Sequence, residues 1–240
     1  KAVIMNLSDL AAKGAKPLVL LVSLGLPSDF TEKEILEIGK GLNAGAREYN
    51  TYILGGDTNE APDLIISCTA IGVCNKNQLM KRSGAKAGDY LAVTGFFGKT
   101  ASGLKILMDN LSALDLPDVL VNSVLMPKAR VNEGTALALS KAATACIDSS
   151  DGLAWSLHEL SVASNVGFCI EHVPVAPEVE NFAKHFGFES AELALYGGEE
   201  YELVVTITPS LWQNAKKAVE SVGGFLIKIG SVTEEQTVVI

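Results

Sequence analysis

The amino-acid sequence predicts a mixed α/β (α+β) fold, on three observations. Apolar runs of strand length alternate with segments of helical periodicity along most of the chain. Twenty-two glycines against eight prolines suit many tight turns between ordered elements. The 240 residues, 48% hydrophobic and 20% charged, suffice to bury a substantial core in one large or two small domains.

Residues 2–7 read as a short strand or extended run. Ser8 then reads as the N-cap of a short helix that opens at Asp9 and ends at Gly14. Leu18 to Leu24 is a continuous apolar run of strand length. Thr31-Glu-Lys-Glu34 has capping-box form, in which hydroxyl and carboxylate each satisfy a backbone N–H, and it opens a helix with Ile35, Ile38, Leu42 and Tyr49 roughly on one face. Tyr52 to Leu54 is a strand running into Gly55-Gly-Asp-Thr58, and Leu64 to Val73 is the next strand. The polar stretch from Asn75 to Asp89 marks a domain boundary, giving an N-terminal domain over 1–79 and a C-terminal domain over 80–240.

Strand Tyr90 to Thr94 leads through Gly95-Phe-Phe-Gly98 into a helix from about Thr100 to Met108. Residues 109–123 are less regular, and a helix spans about Arg130 to Lys141. Ala145-Cys-Ile147 is a short strand ending at Asp148, after which Ser149-Ser-Asp-Gly-Leu153 starts a helix carrying Leu153, Leu157 and Leu160. The remainder alternates strand and helix over Phe168–Glu171, Glu178–His185, Leu203–Ile207, Leu211–Val222 and Phe225–Ile229. Both ends, at Lys1 and at Val238-Val239-Ile240, read as cut from something longer, the first domain at its start and the second at its end.

A formal net charge of −9 argues against nucleic acid or an anionic membrane surface as partner. It leaves an anionic substrate open, because divalent metal held by carboxylates inverts the local field. Cys68, Cys74, Cys146 and Cys169 lack CxxC spacing and sit in apolar stretches, which predicts buried free thiols in a cytoplasmic protein. His158, His172 and His185 form no zinc pattern. No run approaches the roughly 18 apolar residues of a membrane span, and no signal peptide is visible.

The chemistry-bearing signal is a recurrence. Three times an apolar run ends in a short polar turn with an aspartate: Asn6-Leu-Ser-Asp9, Leu54-Gly-Gly-Asp57-Thr and Ile147-Asp148-Ser-Ser-Asp151-Gly. Carboxylates at strand ends are exposed yet held by a rigid scaffold, Mg²⁺ takes a few carboxylates plus water and phosphate, and glycine turns offer N–H donors to phosphate. With Glu199, these acids can bind several metals around a polyphosphate. Bland readings compete. Asp9 and Asp151 can be first-turn acids favoured by the helix dipole, and Asp57 can shape an Asx-turn. The pair Asp148 and Asp151 is harder to dismiss, because one N-cap would suffice at that junction. Gly95-Phe-Phe-Gly98-Lys99-Thr100 fails as a P-loop, since Val93 stands where the pattern needs glycine, and it reads as a structural turn into a helix. Tyr196-Gly-Gly-Glu-Glu-Tyr-Glu-Leu203 runs straight into a strand, so at least one of its acids sits at a strand mouth.

In order, these segments resemble the thiamine-monophosphate kinase family, part of a wider group with aminoimidazole-ribonucleotide synthase, selenophosphate synthetase and a hydrogenase maturation protein. The matching stretches are Lys1 to Pro17, Gly55-Gly-Asp57-Thr, Arg82-Ser-Gly-Ala-Lys-Ala-Gly-Asp89, Val93-Thr-Gly95, Ile147-Asp148-Ser-Ser-Asp151-Gly-Leu and Gly197-Gly-Glu199-Glu-Tyr-Glu-Leu203. The resemblance implies a two-domain aminoimidazole-ribonucleotide synthase-like fold, with a dimer-forming N-terminal α/β domain that binds ATP and metal, a C-terminal α/β domain, and a homodimer. It implies transfer of the ATP γ-phosphate to thiamine monophosphate, giving thiamine diphosphate, with several Mg²⁺ ions and no protein nucleophile. Asp9, Asp57, Asp148 and Asp151 match metal ligands; Gly56, Asp57, Arg82 and Ser150 match ATP contacts; Glu199 matches a substrate contact. Phosphoryl transfer asks mainly for positioning and charge neutralisation, which metals and Arg82 supply. The family's Glu-Asp-Tyr-Glu-Leu is Glu199-Glu-Tyr-Glu-Leu here, one methylene longer at Glu200. Its upstream metal-binding acids and an aromatic substrate contact beyond the position of Ile240 lie outside this sequence. Two alternatives stay open: another ATP-dependent member of the group, selenophosphate synthetase-like or hydrogenase-maturation-like, and a non-catalytic nucleotide-binding module.

Overall fold

The computed structural model describes residues 1–109, 111 and 118–240. Helix α1 (Ala2–Ala12) comes first, followed by strands β1 (Lys16–Leu26), β2 (Tyr52–Glu60) and β3 (Ile65–Val73), which form a sheet in the order β2-β1-β3. β1 and β2 are parallel, joined across helix α2 (Glu32–Glu48), and β3 returns antiparallel to β1. The α2 capping box forms as its sequence predicts: Thr31 Oγ1 accepts from the Glu34 N–H while the Glu34 carboxylate accepts from the Thr31 N–H.

The second sheet contains β4 (Tyr90–Val93), β5 (Ala143–Asp148), β6 (Gly167–Ile170), β7 (Leu203–Ile207), β8 (Ile227–Thr233) and β9 (Val238–Val239), in the order β5-β7-β4-β8-β6-β9. All its pairings are antiparallel except β6 with β9. Helices α3 (Lys99–Asp109), α4 (Val119–Leu125), α5 (Val131–Ser140), α6 (Leu153–Ser164), α7 (Pro177–Phe186), α8 (Ser190–Tyr196) and α9 (Trp212–Glu220) pack around it. Of the irregular stretch expected over 109–123, residues 110 and 112–117 lie outside the described residues, and Val119 onward is helical.

The two sheets share a core. Val3, Leu7 and Ala11 of α1 pack with Leu20 and Val22 of β1, with Leu137 of α5, and with Cys146 and Val205 of the larger sheet. α1 is therefore the wedge between them. It crosses α5 closely because Gly134 lies against the Ala11 carbonyl, where a Cβ would collide.

Three expectations are corrected. Residues 2–7 are helix, not strand, and Ser8 is a buried mid-helix residue, not an N-cap. The buried positions Val3, Ile4, Leu7, Ser8, Ala11 and Ala12 keep helical spacing, but over six residues an apolar run does not declare its period. Gly55-Gly-Asp-Thr58 is strand, not turn, because β2 continues to Glu60. Glycine inside a strand marks close backbone approach, and a Cβ on Gly56 would overlap the Val22 carbonyl of β1. The cysteines are free thiols, as expected, yet only Cys146 is buried; Cys74 and Cys169 are exposed and Cys68 half-buried. In β6 the reason is strand alternation, which turns Cys169 outward.

Candidate active site

The site lies where α1 meets the end of β5. Ser8 Oγ donates to Asp148 Oδ2 at 2.7 Å, and both residues are buried. Asp9, one residue further along α1, is exposed. Partial loss of solvent around its carboxyl on the domain side, then the neighbouring Asp148, raises its pKa above the ordinary value, against the opposing pull of Arg82 and Lys13. Two carboxylates from residues 139 apart in sequence thus repel one another across the domain junction.

After Asp148 the chain turns into α6 through Ser149-Ser-Asp-Gly152, and this turn pairs with the loop Gly197 to Glu202. The Ser149 N–H donates to the Glu202 carbonyl at 2.8 Å, Glu199 N–H to the Ser150 carbonyl at 2.7 Å, and Tyr201 N–H to the Ser149 carbonyl at 3.0 Å. Gly198 is required here, because a Cβ would press on the Ser150 carbonyl. Glu199 and Tyr201 both adopt left-handed φ, 64° and 55°, a costly state for residues with a Cβ, held by these bonds. The strained backbone brings the Tyr201 phenol among four acids. Burial first, then Glu199, Asp148, Asp151 and Asp9 hold its pKa well above the ordinary phenol range.

Arg82 completes this group. It bonds Glu159 of α6 at 3.2 Å. Its own loop is pinned to α6 by Ser164, whose Oγ accepts from the N–H groups of Gly84 and Ala85 and donates to the Arg82 carbonyl. Ser150 is exposed at the start of the turn, its Oγ 3.3 Å from Asp151 Oδ2.

Glu202 anchors the loop. Its buried carboxylate receives Nε and Nη2 of Arg130 at 2.7 and 2.5 Å and the Thr94 hydroxyl at 2.8 Å. Burial alone would lower the pKa of the Arg130 guanidinium, but Glu202 and Glu133 outweigh it and keep the charge in place. Glu200, the position where the family pattern has aspartate, turns the other way. Its buried carboxylate accepts the Thr100 N–H at 3.0 Å and so occupies the start of α3. Burial raises its pKa, partly offset by the Thr100 bonds. The Gly95–Gly98 segment is therefore a structural turn, with Gly95 leaving room for the Glu202 carboxylate.

The fold thus gathers Asp9, Asp148, Asp151, Glu199 and Arg82. Gly56 and Asp57 stand apart on the exposed edge strand β2, and Asp57 is not among the charges felt by Asp9 or Tyr201. The Asp57 carboxylate accepts from the Thr58 N–H and from Asn59 Nδ2 at 2.9 and 2.8 Å. Sequence reasoning missed Ser8, Tyr201 and the Arg130–Glu202 pair. For Ser8 a signal existed, a hydroxyl at a position where helical spacing demands an apolar residue. Arg130 carries none, because its partner is 72 residues away.

Among the described residues, no three His, Cys, Asp or Glu side chains converge tightly enough to hold a metal by themselves. Mg²⁺ does not need that, since one or two carboxylates with water and substrate phosphate complete its octahedron. The donor chemistry fits on this ground: Asp9 and Asp148 repel without a full counter-charge, and Asp151 and Glu199 stand around the same phenol.

Residues 1–74 match the family model for AIR synthase related protein, N-terminal domain, and residues 86–240 match that for its C-terminal domain. The two-sheet fold and its acidic junction thus define an AIR synthase related protein. A curated thiamine-monophosphate kinase from Pyrococcus horikoshii is 42% identical over 86% of this chain and 64% of its own length. Another, from Synechococcus elongatus, is 35% identical over 99% of this chain and 72% of its own length. The solved structure of AaThiL complexed with AMPPCP and TMP superposes with a TM-score of 0.87 at 28% identity, covering 98% of this chain and 73% of that one. The chain belongs to the thiamine-monophosphate kinase family. It spans a little under two thirds of the Pyrococcus relative.

Proposed function

We propose that this protein transfers the γ-phosphoryl group of ATP to thiamine monophosphate, giving thiamine diphosphate and ADP. An oxygen of the acceptor phosphate forms the new P–O bond as the β–γ bridge breaks, and ADP leaves with the electron pair. The observation that carries this reading is the gathering of Asp9, Asp148, Asp151 and Glu199 around Tyr201 with Arg82 beside Asp9. In this reading Asp9, Asp148 and Asp151 would hold Mg²⁺ together, and Asp57 would add a ligand from the edge strand; the metal would supply charge neutralisation and in-line alignment of the phosphates. Gly56, Asp57, Arg82 and Ser150 position ATP, and Glu199 contacts the acceptor. No side chain is asked to act as nucleophile.

Support for the substrates comes from the relatives' names and from the neighbour that holds AMPPCP and TMP. The test is ADP release from ATP and Mg²⁺ against a panel of acceptors. Thiamine monophosphate is expected to stimulate release and yield thiamine diphosphate; stimulation by selenide or a carbamoylated protein instead, or none by any acceptor, would overturn the reading.

The protein is further read as a homodimer working in the cytoplasm, with residues 1–79 supplying metal contacts and the dimer face and residues 80–240 the second domain. The outward face of the three-stranded sheet supports the dimer, because Leu21, Ile65, Ile71 and Val73 are exposed on it. No helix among the described residues is long and apolar enough to cross a membrane.

A further inference from the structure

Helix α1 turns two polar side chains toward the acid site. Lys1, its N-cap, and Ser8 are about two turns apart, so both lie on one face of the helix. That face grips the C-terminal domain at two points. Ser8 Oγ donates to Asp148 Oδ2 at 2.7 Å, and Lys1 Nζ donates to Glu199 Oε2 at 2.5 Å. The two loops so gripped are themselves joined. The Glu199 N–H donates to the Ser150 carbonyl, and the Tyr201 N–H to the Ser149 carbonyl. These contacts close a ring that runs from α1 through Asp148 and the Ser149-Ser150 turn to Glu199, and back to α1.

The two crossings of this ring differ in kind. The Ser8–Asp148 bond is buried. The Lys1 and Glu199 side chains are 37% and 43% exposed, and an ion pair this wet adds little stability. What it does fix is the direction of the Glu199 carboxylate. Glu199 sits on a left-handed backbone and shares the surroundings of Tyr201 with Asp148, Asp151 and Asp9. Like charges push an untethered carboxylate out toward water. Lys1 opposes that push. Arg82, the other cation of this group, bonds Glu159 instead.

We infer that Lys1 is a positioning residue: its ammonium clamps the Glu199 carboxylate into the site across the junction of the two domains, ready for the acceptor. The kinetic consequence rests on the proposed reaction, in which Glu199 contacts thiamine monophosphate; the clamp itself does not.

Two measurements on the full chain separate clamp from reaction. The first is amide hydrogen exchange without substrates. Lys1→Met is expected to speed exchange at Glu199 and Tyr201 about threefold or more, with Tm changed by less than about 3 °C, and Lys1→Arg should restore most of the protection. The second is steady-state kinetics with ATP, Mg²⁺ and varied thiamine monophosphate. Lys1→Met should raise the acceptor KM about five- to tenfold, with kcat and the ATP KM each changed less than about twofold, and Lys1→Arg should recover most of the loss. In a Glu199→Gln background the same Lys1→Met change should add less than about twofold, because the partner it held is gone. Wild-type exchange at Glu199 and Tyr201 in Lys1→Met, an unchanged acceptor KM, or effects that multiply in the double variant each overturn the assignment and leave the reaction standing. A wild-type chain that forms no thiamine diphosphate overturns the reaction, and hydrogen exchange then decides the clamp by itself.

Discussion

Two aspartate-bearing glycine segments look alike in sequence and differ completely in structure. Around Asp148 the acid is buried, accepts a hydroxyl from another element, and is followed by a turn whose backbone is tied to a second loop. Around Asp57 the acid lies on an edge strand, exposed, bonded only to its own neighbours Thr58 and Asn59. The first segment is organised in advance by the fold. The second offers a carboxylate on a flat edge whose geometry other groups must complete. Preorganised charge acts without reorganisation when a phosphoryl group moves, so the larger effects are expected on the buried side.

The sharpest way to break this comparison is to loosen the loop facing Asp148. Arg130→Met leaves the Glu202 carboxylate buried without its counter-charge, which is expected to cost about 3–5 kcal/mol of stability in chemical denaturation. A loss below about 1 kcal/mol would mean the pair does not hold the loop. Next, Asp148→Asn should lower kcat by on the order of 10²–10³ with the fold retained by circular dichroism. Asp57→Asn, by contrast, should leave stability within about 0.5 kcal/mol of wild type, whatever it does to turnover. Equal destabilisation by both would erase the distinction between the segments.

The two buried serines beside Asp148 give a finer test. Ser8 is bonded, so Ser8→Ala should destabilise by about 1 kcal/mol or more. Ser149 Oγ is buried with no partner among the described residues, so Ser149→Ala should be neutral or stabilising by about 1 kcal/mol. Opposite signs in thermal melts are the expected outcome.

The smallest effect concerns pH. Glu200 has its folded-state pKa raised above the ordinary 4.5 by burial. In the window from that value up to the raised one, the folded chain retains a proton that the unfolded chain has released. Stability contributed by this group is therefore present at low pH and declines as pH rises through the window. Glu200→Gln should flatten that decline; identical slopes for wild type and variant would assign the pH dependence elsewhere.

Much of this molecule was legible in its residues. The α2 capping box, the buried strands β4 and β7, the helix after Asp151 and the loop Gly197 to Leu203 all carry their reasons locally, as hydroxyl-to-carboxylate spacing, apolar runs or glycine punctuation. Of the four acids around Tyr201, Asp9, Asp148 and Asp151 were visible as candidates at the ends of apolar runs, and Glu199 in a polar segment that runs into a strand. What could not be seen was which of them meet. Residues 2–7 read as extended because a short apolar run fits strand and buried helix equally, and only packing against β1, α5 and β5 makes the helical period pay. The Gly55-Gly56 pair read as a turn because local chemistry favours one, whereas the close approach to Val22 draws it into a strand.

The sequence by itself determined the alternation of elements, their caps and turns, and the kinds of side chain available for phosphate and metal. Tertiary structure alone decided that Ser8 serves Asp148, that Glu200 faces α3 while Glu199 faces the acids, and that Asp57 stays on the edge. The physical reason is range. Hydrogen-bonded turns and periodic burial act over a few residues and leave a local imprint, but repulsion between Asp9 and Asp148 or the grip of Arg130 on Glu202 depends on through-space distance, which no local pattern encodes.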